Sequence, residues 1–188
     1  EFASRNEWII LFGALRGGSG TMMIRNSDIV TTGTSTNGVE LDENVRFTMR
    51  GGGGSTESGR GVWAYSSAGD EIRLLIEGVD IDSVESALQL DGASRMAGTI
   101  SATLIDNDLR STSNTAEILA IGAGTSTIVV NASGNRLDGG DGRIQLWETT
   151  GTISVSQDAP ETGAEGIDAQ NSIPAANVVI PAGAVDYN

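Results

Sequence analysis

The chain has 188 residues and a net charge of −14, with eleven arginines against 25 acidic residues and no histidine, cysteine or lysine. These counts exclude disulfides, Cys/His metal sites, and catalysis by a histidine base, a cysteine nucleophile or a Schiff-base lysine. A strongly acidic surface repels phosphate backbones, and no apolar run approaches the ~18 residues of a membrane span. We therefore expect neither nucleic acid nor a membrane span.

The chain divides into three predicted parts. Residues 1–20 contain one apolar strand, Trp8–Phe12, and are predicted to be an N-terminal coil, a cap or the end of a preceding domain. Residues 21–170 are predicted to hold repeated coils. Residues 171–188 carry two of the three prolines and predict a C-terminal strand or cap, because proline disfavours further strand addition. We expect the chain to belong to a longer protein or a homo-oligomer.

Short segments in which apolar residues alternate with other residues recur along the middle of the chain. Alternation with a period of two indicates strands rather than helices. Successive segments are 23, 26, 31, 25 and 23 residues apart, a mean near 26. The six segments are Val39–Asp42, Val62–Tyr65, Leu88–Asp91, Leu119–Gly122, Ile144–Trp147 and Ile167–Gln170.

A second repeated block lies between these segments. Thr99–Leu109 can be laid over Thr127–Leu137, and this alignment places Asn107 on Asn135. Asparagines at equivalent turns can bond to one another and to turn backbone that would otherwise lack partners. We therefore predict an asparagine ladder at this turn.

The period is the feature that selects the fold. A sandwich or barrel needs no period near 26, whereas a solenoid does, because each coil stacks on an equivalent coil. The sequence predicts an all-β, right-handed parallel β-helix of about six to seven coils, with roughly 26 residues per coil. The first and third residues of each alternating segment should point into the core.

One stretch carries a family resemblance. Residues 24–39, with Asn-Ser, Thr-Thr-Gly and Gly-Val punctuation, resemble a coil of a right-handed parallel β-helix and are especially similar to the passenger domains of bacterial autotransporter adhesins. The similarity covers roughly residues 20–170. It implies a non-enzymatic stalk or adhesin module, secreted or on the cell surface, with a shallow surface for a glycan or a host protein.

Other proteins share the same pattern. Phage tailspikes and pectate-lyase-like enzymes are also parallel β-helices, so the alternative is a virion tailspike or a carbohydrate-active β-helix acting on an extracellular polysaccharide. A carboxylate pair with a perturbed pKa in a groove would favour this alternative. A flat sheet with exposed aromatic residues would favour the adhesin.

The predicted ligand-binding residues share one outer sheet face. Trp63, Tyr65 and Trp147 take outward positions in their strands, and so do Gln89 and Gln145. Trp147 lies three coils from the other two aromatic residues, roughly 14 Å at the spacing of stacked strands. Exposed aromatic rings beside amides suit sugar stacking and hydroxyl hydrogen bonds, or a protein contact. Packing within the chain is the competing interpretation.

Acidic pairs are the candidate catalytic groups. Asp80 and Asp82, like Asp106 and Asp108, lie two residues apart, so on a strand each pair shares a face, with Arg110 near the second pair. Glycoside hydrolysis needs one protonated and one ionised carboxyl. The chain lacks the histidine and lysine motifs of polygalacturonases, and an acidic chain is poorly suited to an anionic polysaccharide. We therefore assign no catalytic residue.

Two glycine-rich motifs remain. Residues 137–144 are similar to a calcium-binding nonapeptide turn, which makes Asp138 and Asp141 the only calcium candidates. The motif occurs once, so a tight turn without a cofactor is the expected form.

Gly51–Gly61 nearly matches a phosphate loop, but Arg60 stands at the lysine position and no helix follows. This stretch is predicted to be an exposed loop between coils.

Overall fold

The computed structural model describes residues 2–5, 8–11, 15–33, 37–92, 97–113, 116–139, 143–147, 152–157, 166–169 and 178–179. Side chains are described for residues 18–33, 37–92, 97–113, 116–138, 144–146 and 152–155. Every regular element in these ranges is a β-strand. Asp141 and Gln170 lie outside the described residues, and the side chain of Trp147 lies outside the described side chains.

The strands alternate with short turns along the whole chain. In order they are β1 (Phe2–Arg5), β2 (Trp8–Leu11), β3 (Leu15–Gly17), β4 (Gly20–Thr31), β5 (Val39–Leu41), β6 (Val45–Thr56), β7 (Val62–Tyr65), β8 (Glu71–Glu77), β9 (Asp80–Ser83), β10 (Leu88–Asp91), β11 (Thr99–Ile105), β12 (Asp108–Ser111), β13 (Ile118–Ile121), β14 (Thr127–Ser133), β15 (Arg136–Gly139), β16 (Arg143–Trp147), β17 (Thr152–Gln157), β18 (Gly166–Ala169) and β19 (Val178–Val179).

All strand pairs in these ranges are parallel, and each strand pairs with its equivalents in the neighbouring coils. The molecule is therefore a parallel β-solenoid, as the sequence predicted. A twelve-stranded sheet bends into two faces, and a seven-stranded sheet makes the third. We call face 1 the surface of residues 20–25 and 45–50 with β8, β11, β14 and β17. Face 2 is residues 27–31 and 52–56 with β9, β12 and β15, and face 3 is β3, β5, β7, β10, β13, β16 and β18.

Alternating residues of all three faces fill one core. On face 3, Val62 and Ala64 are 1 % and 0 % exposed, and they stack on Leu88 and Leu90, which are fully buried. On face 1, Phe47 stacks on Leu74 in the same inward manner. The core is a continuous apolar column, because no single coil has enough apolar surface to bury its own inner side.

The predicted period is confirmed, with about 27 residues per turn, and the continuously described coils make about four turns, so the coil count differs slightly from the prediction. One detail of the predicted repeat is wrong: the fourth alternating segment begins one residue earlier, since Ile118 rather than Leu119 pairs with Leu88. All residues of β13 are apolar, so alternation could not set its register, and Leu119 takes an outward position.

The glycine run is a strand and not the predicted loop. Gly51–Gly54 lie within β6 and pair with β4 on one side. Gly53 and Gly54 also pair with β9 on the other side. In the described residues, β4 and β6 pass through the bend between faces 1 and 2 unbroken, whereas later coils break there into two strands.

The bend between faces 1 and 2 repeats in five coils. At each bend one residue takes a left-handed conformation, with φ between 48° and 66°. These residues are Asn26, Gly51, Gly78, Asp106 and Gly134. Glycine, asparagine and aspartate are the residue types that adopt this conformation at least cost, so the sequence sets the bend locally.

The predicted asparagine ladder follows this bend residue. Asn107 and Asn135 are 2 % and 0 % exposed, and the Asn107 amide donates to Asn135 Oδ1 at 2.7 Å. Asn107 also donates to the Ile76 carbonyl at 3.0 Å and accepts from the Val79 amide at 3.0 Å. One side chain therefore satisfies backbone groups of the preceding coil and links to the following one.

We expect Asn107→Ala to lower the free energy of unfolding by about 1–3 kcal/mol, because it leaves buried donors and acceptors without partners. Chemical denaturation followed by circular dichroism measures this loss. Asn131→Ala is the matched control, since Asn131 is exposed on β14. Equal losses in the two variants would contradict the structural role of the ladder.

A second pair of variants tests how closely the coils approach. A Cβ on Gly52 would lie 2.3 Å from the Ser27 carbonyl oxygen, whereas a Cβ on Gly69 would meet nothing within 4 Å. Both glycines have similar φ, 79° and 84°. Gly69→Ala should therefore cost only the backbone strain of about 1 kcal/mol. Gly52→Ala should lower the free energy of unfolding by clearly more. The difference between the melting temperatures of the two variants measures this.

Candidate functional site

Trp63 and Tyr65 on face 3 are only half-exposed. Trp63 and Tyr65 point outward from β7, as predicted, with ring centroids 4.5 Å apart and planes tilted by 40°. The guanidinium of Arg60 lies over the indole ring, 5.2 Å from its centroid. This cation–π contact occupies one side of the ring that a sugar would stack on.

The polar groups around these rings bond to one another. Gln89 is 5 % exposed and accepts a hydrogen bond from Arg60 Nε. The Trp63 indole N–H donates to Asp91 Oδ2 at 3.3 Å, and Gln89 Nε2 lies 3.4 Å from the same oxygen. Arg60 also pairs with Glu85 at 3.0 Å. The predicted amide thus belongs to an internal network, and the sequence pattern did not point to its three ionic members, Arg60, Glu85 and Asp91.

The structure places the other predicted binding residues further along face 3. Gln145 is half-buried, and it pairs in register with Leu119, which itself follows Gln89. Trp147 pairs with Ile121, so its backbone lies three coils from that of Tyr65. Trp63, Tyr65 and Gln89 are therefore together, whereas the aliphatic Leu119 separates Gln89 from Gln145.

A polar groove lies on face 2. Its volume is about 440 Å³, and its lining combines three carboxylates, one guanidinium and a strip of glycine backbone. The lining residues are Asp28, Val30, Gly52, Gly53, Gly54, Ser55, Asp80, Asp82 and Arg110. The groove crosses the coils at the point where the glycine run provides no side chains.

Gly53 forms the floor of this groove. It pairs in register with Asp28 on one side and Asp80 on the other. A Cβ at this position would lie 2.6 Å from the Asp80 carbonyl oxygen and 3.3 Å from Asp28 Oδ1. The neighbouring strands therefore pack directly against Gly53, with the Asp80 backbone on one side and the Asp28 carboxylate on the other, and no side chain fits at this position.

Charges on face 2 alternate along one row of the stack and only partly along the adjacent row. Arg110 lies 4.0 Å from Asp82 and 3.9 Å from Asp138, its neighbours in register. In the adjacent row, Asp108 lies between Asp80 and Arg136 and pairs with Arg136 at 2.8 Å. Asp108 Oδ1 is buried and has no hydrogen-bond partner. Exposed ion pairs of this kind contribute little individually, but their order neutralises the neighbouring acids.

One carboxylate in the groove has a shifted pKa. Burial against the groove raises the pKa of Asp80 above its ordinary value of 3.8, and the charge of Asp108 raises it further. Arg110 opposes this shift in part. Asp80 therefore holds its proton more tightly than an isolated aspartate.

Of the two predicted acidic pairs, one shares a face. Asp80 and Asp82 both lie on the outer side of β9, and Arg110 pairs with Asp82 in register. Asp106 is in the bend with φ of 52° and not on the strand of Asp108, so that pair does not share a face. The left-handed conformation turns the chain between the two residues.

The calcium hypothesis remains a prediction. The Asp138 carboxylate contacts the guanidinium groups of both Arg110 and Arg136. Within the described ranges, no group of three or more acidic side chains is placed to hold a metal ion. No helix in the same part of the chain is long and apolar enough to cross a membrane.

Comparisons with family models, with curated proteins and with solved structures find no match for this chain.

The raised pKa of Asp80 predicts a pH-dependent effect of Asp80→Asn. Because the folded state binds the Asp80 proton more tightly than the unfolded state, the wild-type chain loses stability as pH rises through that pKa. The variant has no such loss. Its melting temperature should therefore gain on that of the wild type between about pH 3 and about pH 7. A difference that stays constant or shrinks with rising pH would refute the assignment.

Proposed function

We propose that this chain is a non-enzymatic β-helix stalk or adhesin module, extracellular or on a cell surface, that binds a glycan in the face 2 groove. The single observation that carries the proposal is the polar groove itself, where the side chains of Asp28, Asp82 and Arg110 line a strip of glycine backbone. Carboxylates accept hydrogen bonds from sugar hydroxyls, and the guanidinium of Arg110 can donate hydrogen bonds to the hydroxyl oxygens. The cell-surface location rests on the resemblance to autotransporter passenger domains.

The groove suits a neutral sugar better than the aromatic surface of face 3 does. The amide of Gln89 and the indole N–H of Trp63 are already bonded within the protein. Asp28 and Asp82, by contrast, reach the open groove with oxygens that water or a ligand can satisfy. We therefore assign hydroxyl recognition to face 2 and leave face 3 as the alternative surface, for a glycan or for a protein partner.

Screening on a glycan array tests this proposal. We expect wild-type chain to bind a neutral glycan, and Asp28→Asn combined with Asp82→Asn to weaken binding about tenfold or more, because hydrogen bonds to charged acceptors are lost. Asp106→Asn is the control for the same type of substitution, since Asp106 lies in the bend outside the groove. Circular dichroism confirms that each variant is folded.

Variants of face 3 separate the two binding surfaces. If Trp63→Ala and Trp147→Ala abolish binding while the groove variant keeps it, the glycan site is the aromatic surface. If no glycan binds, the glycan proposal is wrong and the solenoid is a spacer or a protein-contact module.

A second candidate function follows from Asp80. Asp80 has a raised pKa and lies beside Asp108, which forms an ion pair with Arg136, and polysaccharide hydrolysis also uses two neighbouring carboxyl groups of which one is protonated. This favours a carbohydrate-active or tailspike-like β-helix. The release of reducing ends from a bound polysaccharide, and its loss in Asp80→Asn, would establish this activity over simple binding.

A further inference from the structure

Face 1 carries arginines on three consecutive coils. Arg25 on β4 pairs in register with Arg50 on β6, and Arg46 on β6 pairs with Arg73 on β8. These four side chains form two columns along the stack. Arg5 occupies the next register position beside Arg25. The columns thus concentrate a large share of the chain's eleven arginines on one surface.

The columns are only partly neutralised. Arg73 makes a double hydrogen bond to Glu71, at 2.7 and 2.9 Å, and Arg50 pairs with Glu77 at 2.8 Å. Arg25 and Arg46 make no hydrogen bond or salt bridge within the described residues, and Arg25 Nε is buried without a partner. The hydrogen bond from Arg73 lowers the pKa of Glu71, and the charge of Arg46 adds to this shift, so Arg46 lies near a carboxylate without a direct bond to it. Four arginines in the two columns thus face two carboxylates, Glu71 and Glu77.

This arrangement is unfavourable for the chain alone. Like charges directly opposite one another on neighbouring strands destabilise a sheet. One row of face 2 alternates in sign instead, along Asp82, Arg110 and Asp138, although Asp80 and Asp108 lie opposite one another in the adjacent row. A chain with 25 acidic residues has ample means to alternate charges on face 1 as well. The unbalanced columns therefore indicate an external anion.

The surface between the columns has a shape suited to a chain-like ligand. Met23, Thr48 and Leu75 lie in register between the two columns and are half-buried. On the other side of the Arg46 and Arg73 column is an open hollow of about 390 Å³, which these two arginines line together with Glu71. An apolar strip flanked by guanidinium groups can contact the ring carbons and the acidic substituents of a sugar at once.

We propose that face 1 binds a linear acidic polysaccharide, whose carboxylate or sulfate groups pair with the arginine columns. Arginines on successive coils are about 4.8 Å apart along the stack, so the columns present a regular series of charges to a regular polymer. A guanidinium pairs with carboxylate or sulfate oxygens through two parallel hydrogen bonds. This site is independent of the face 2 groove.

The site overturns the expectation that an acidic chain is unsuited to an anionic polysaccharide. Net charge acts at long range, whereas the Debye length at physiological ionic strength is about 8 Å. At that ionic strength the nearest charges dominate, and on face 1 these are arginines. The net charge of −14 is thus compatible with a local anion site.

Titration calorimetry at about 0.15 M NaCl tests the proposal with polygalacturonate, dextran sulfate and neutral dextran as probes. We expect at least one polyanion to bind, neutral dextran not to bind, and binding to disappear at about 1 M NaCl. The two polyanions distinguish a carboxylate from a sulfate ligand. Arg25→Gln and Arg46→Gln should each weaken binding about tenfold, because each removes a charge-assisted hydrogen bond.

Arg136→Gln is the matched control, since it removes the same charge from face 2 and should leave polyanion binding unchanged. Arg25→Gln should also keep or raise the melting temperature, because Arg25 has no partner within the described residues. The double variant with Asp28→Asn and Asp82→Asn should still bind polyanions. The face 1 proposal and the groove proposal are therefore tested independently.

Three results would overturn the proposal. The first is that neither polyanion binds. The second is equal weakening in Arg25→Gln and Arg136→Gln. The third is self-association of the wild-type chain that Arg25→Gln abolishes, as measured by sedimentation, because the acidic surface of a second copy would then be the ligand of the columns.

Discussion

In-register stacking of parallel strands is the constraint on which the rest of this structure depends. Every residue lies beside its equivalent in the coils above and below, about 4.8 Å away. Apolar residues therefore form a continuous core, as Phe47 and Leu74 do on face 1. Charged residues also form columns, and the sign of their neighbours decides their effect. Signs alternate along the Asp82 and Arg110 row of face 2, whereas arginines repeat on face 1 and outnumber the carboxylates that pair with them.

The bend between faces 1 and 2 positions both candidate sites. A left-handed residue begins each bend, and Asn107 and Asn135 bond to the backbone of neighbouring coils just after it. In the coil of β6 Gly52 takes this position, where it lies against the Ser27 backbone and has no room for a side chain. The same glycine run continues into face 2, where it leaves the floor of the groove without side chains. A single local feature thus separates the arginine columns from the acidic groove.

Much of this arrangement could be predicted, because it depends on period and residue type. The alternation in Val62–Tyr65 correctly assigned its inward and outward residues, and the alignment of Asn107 with Asn135 correctly predicted the ladder. The arginine columns were missed although their signal was present. Arg25 and Arg50, or Arg46 and Arg73, are separated by about one coil, and a search for equal spacing among charged residues would have found them.

The sequence by itself determined the all-β solenoid, its inward residues and its asparagine ladder, because each follows from local alternation and from a repeat near the coil length. Only the tertiary structure decided the register of the wholly apolar β13, the inclusion of Gly51–Gly54 in a strand, and the internal bonding of Gln89. These features depend on the register of strand pairing between coils, and loops of unequal length change that register from one coil to the next. The groove and the arginine columns result from the same register.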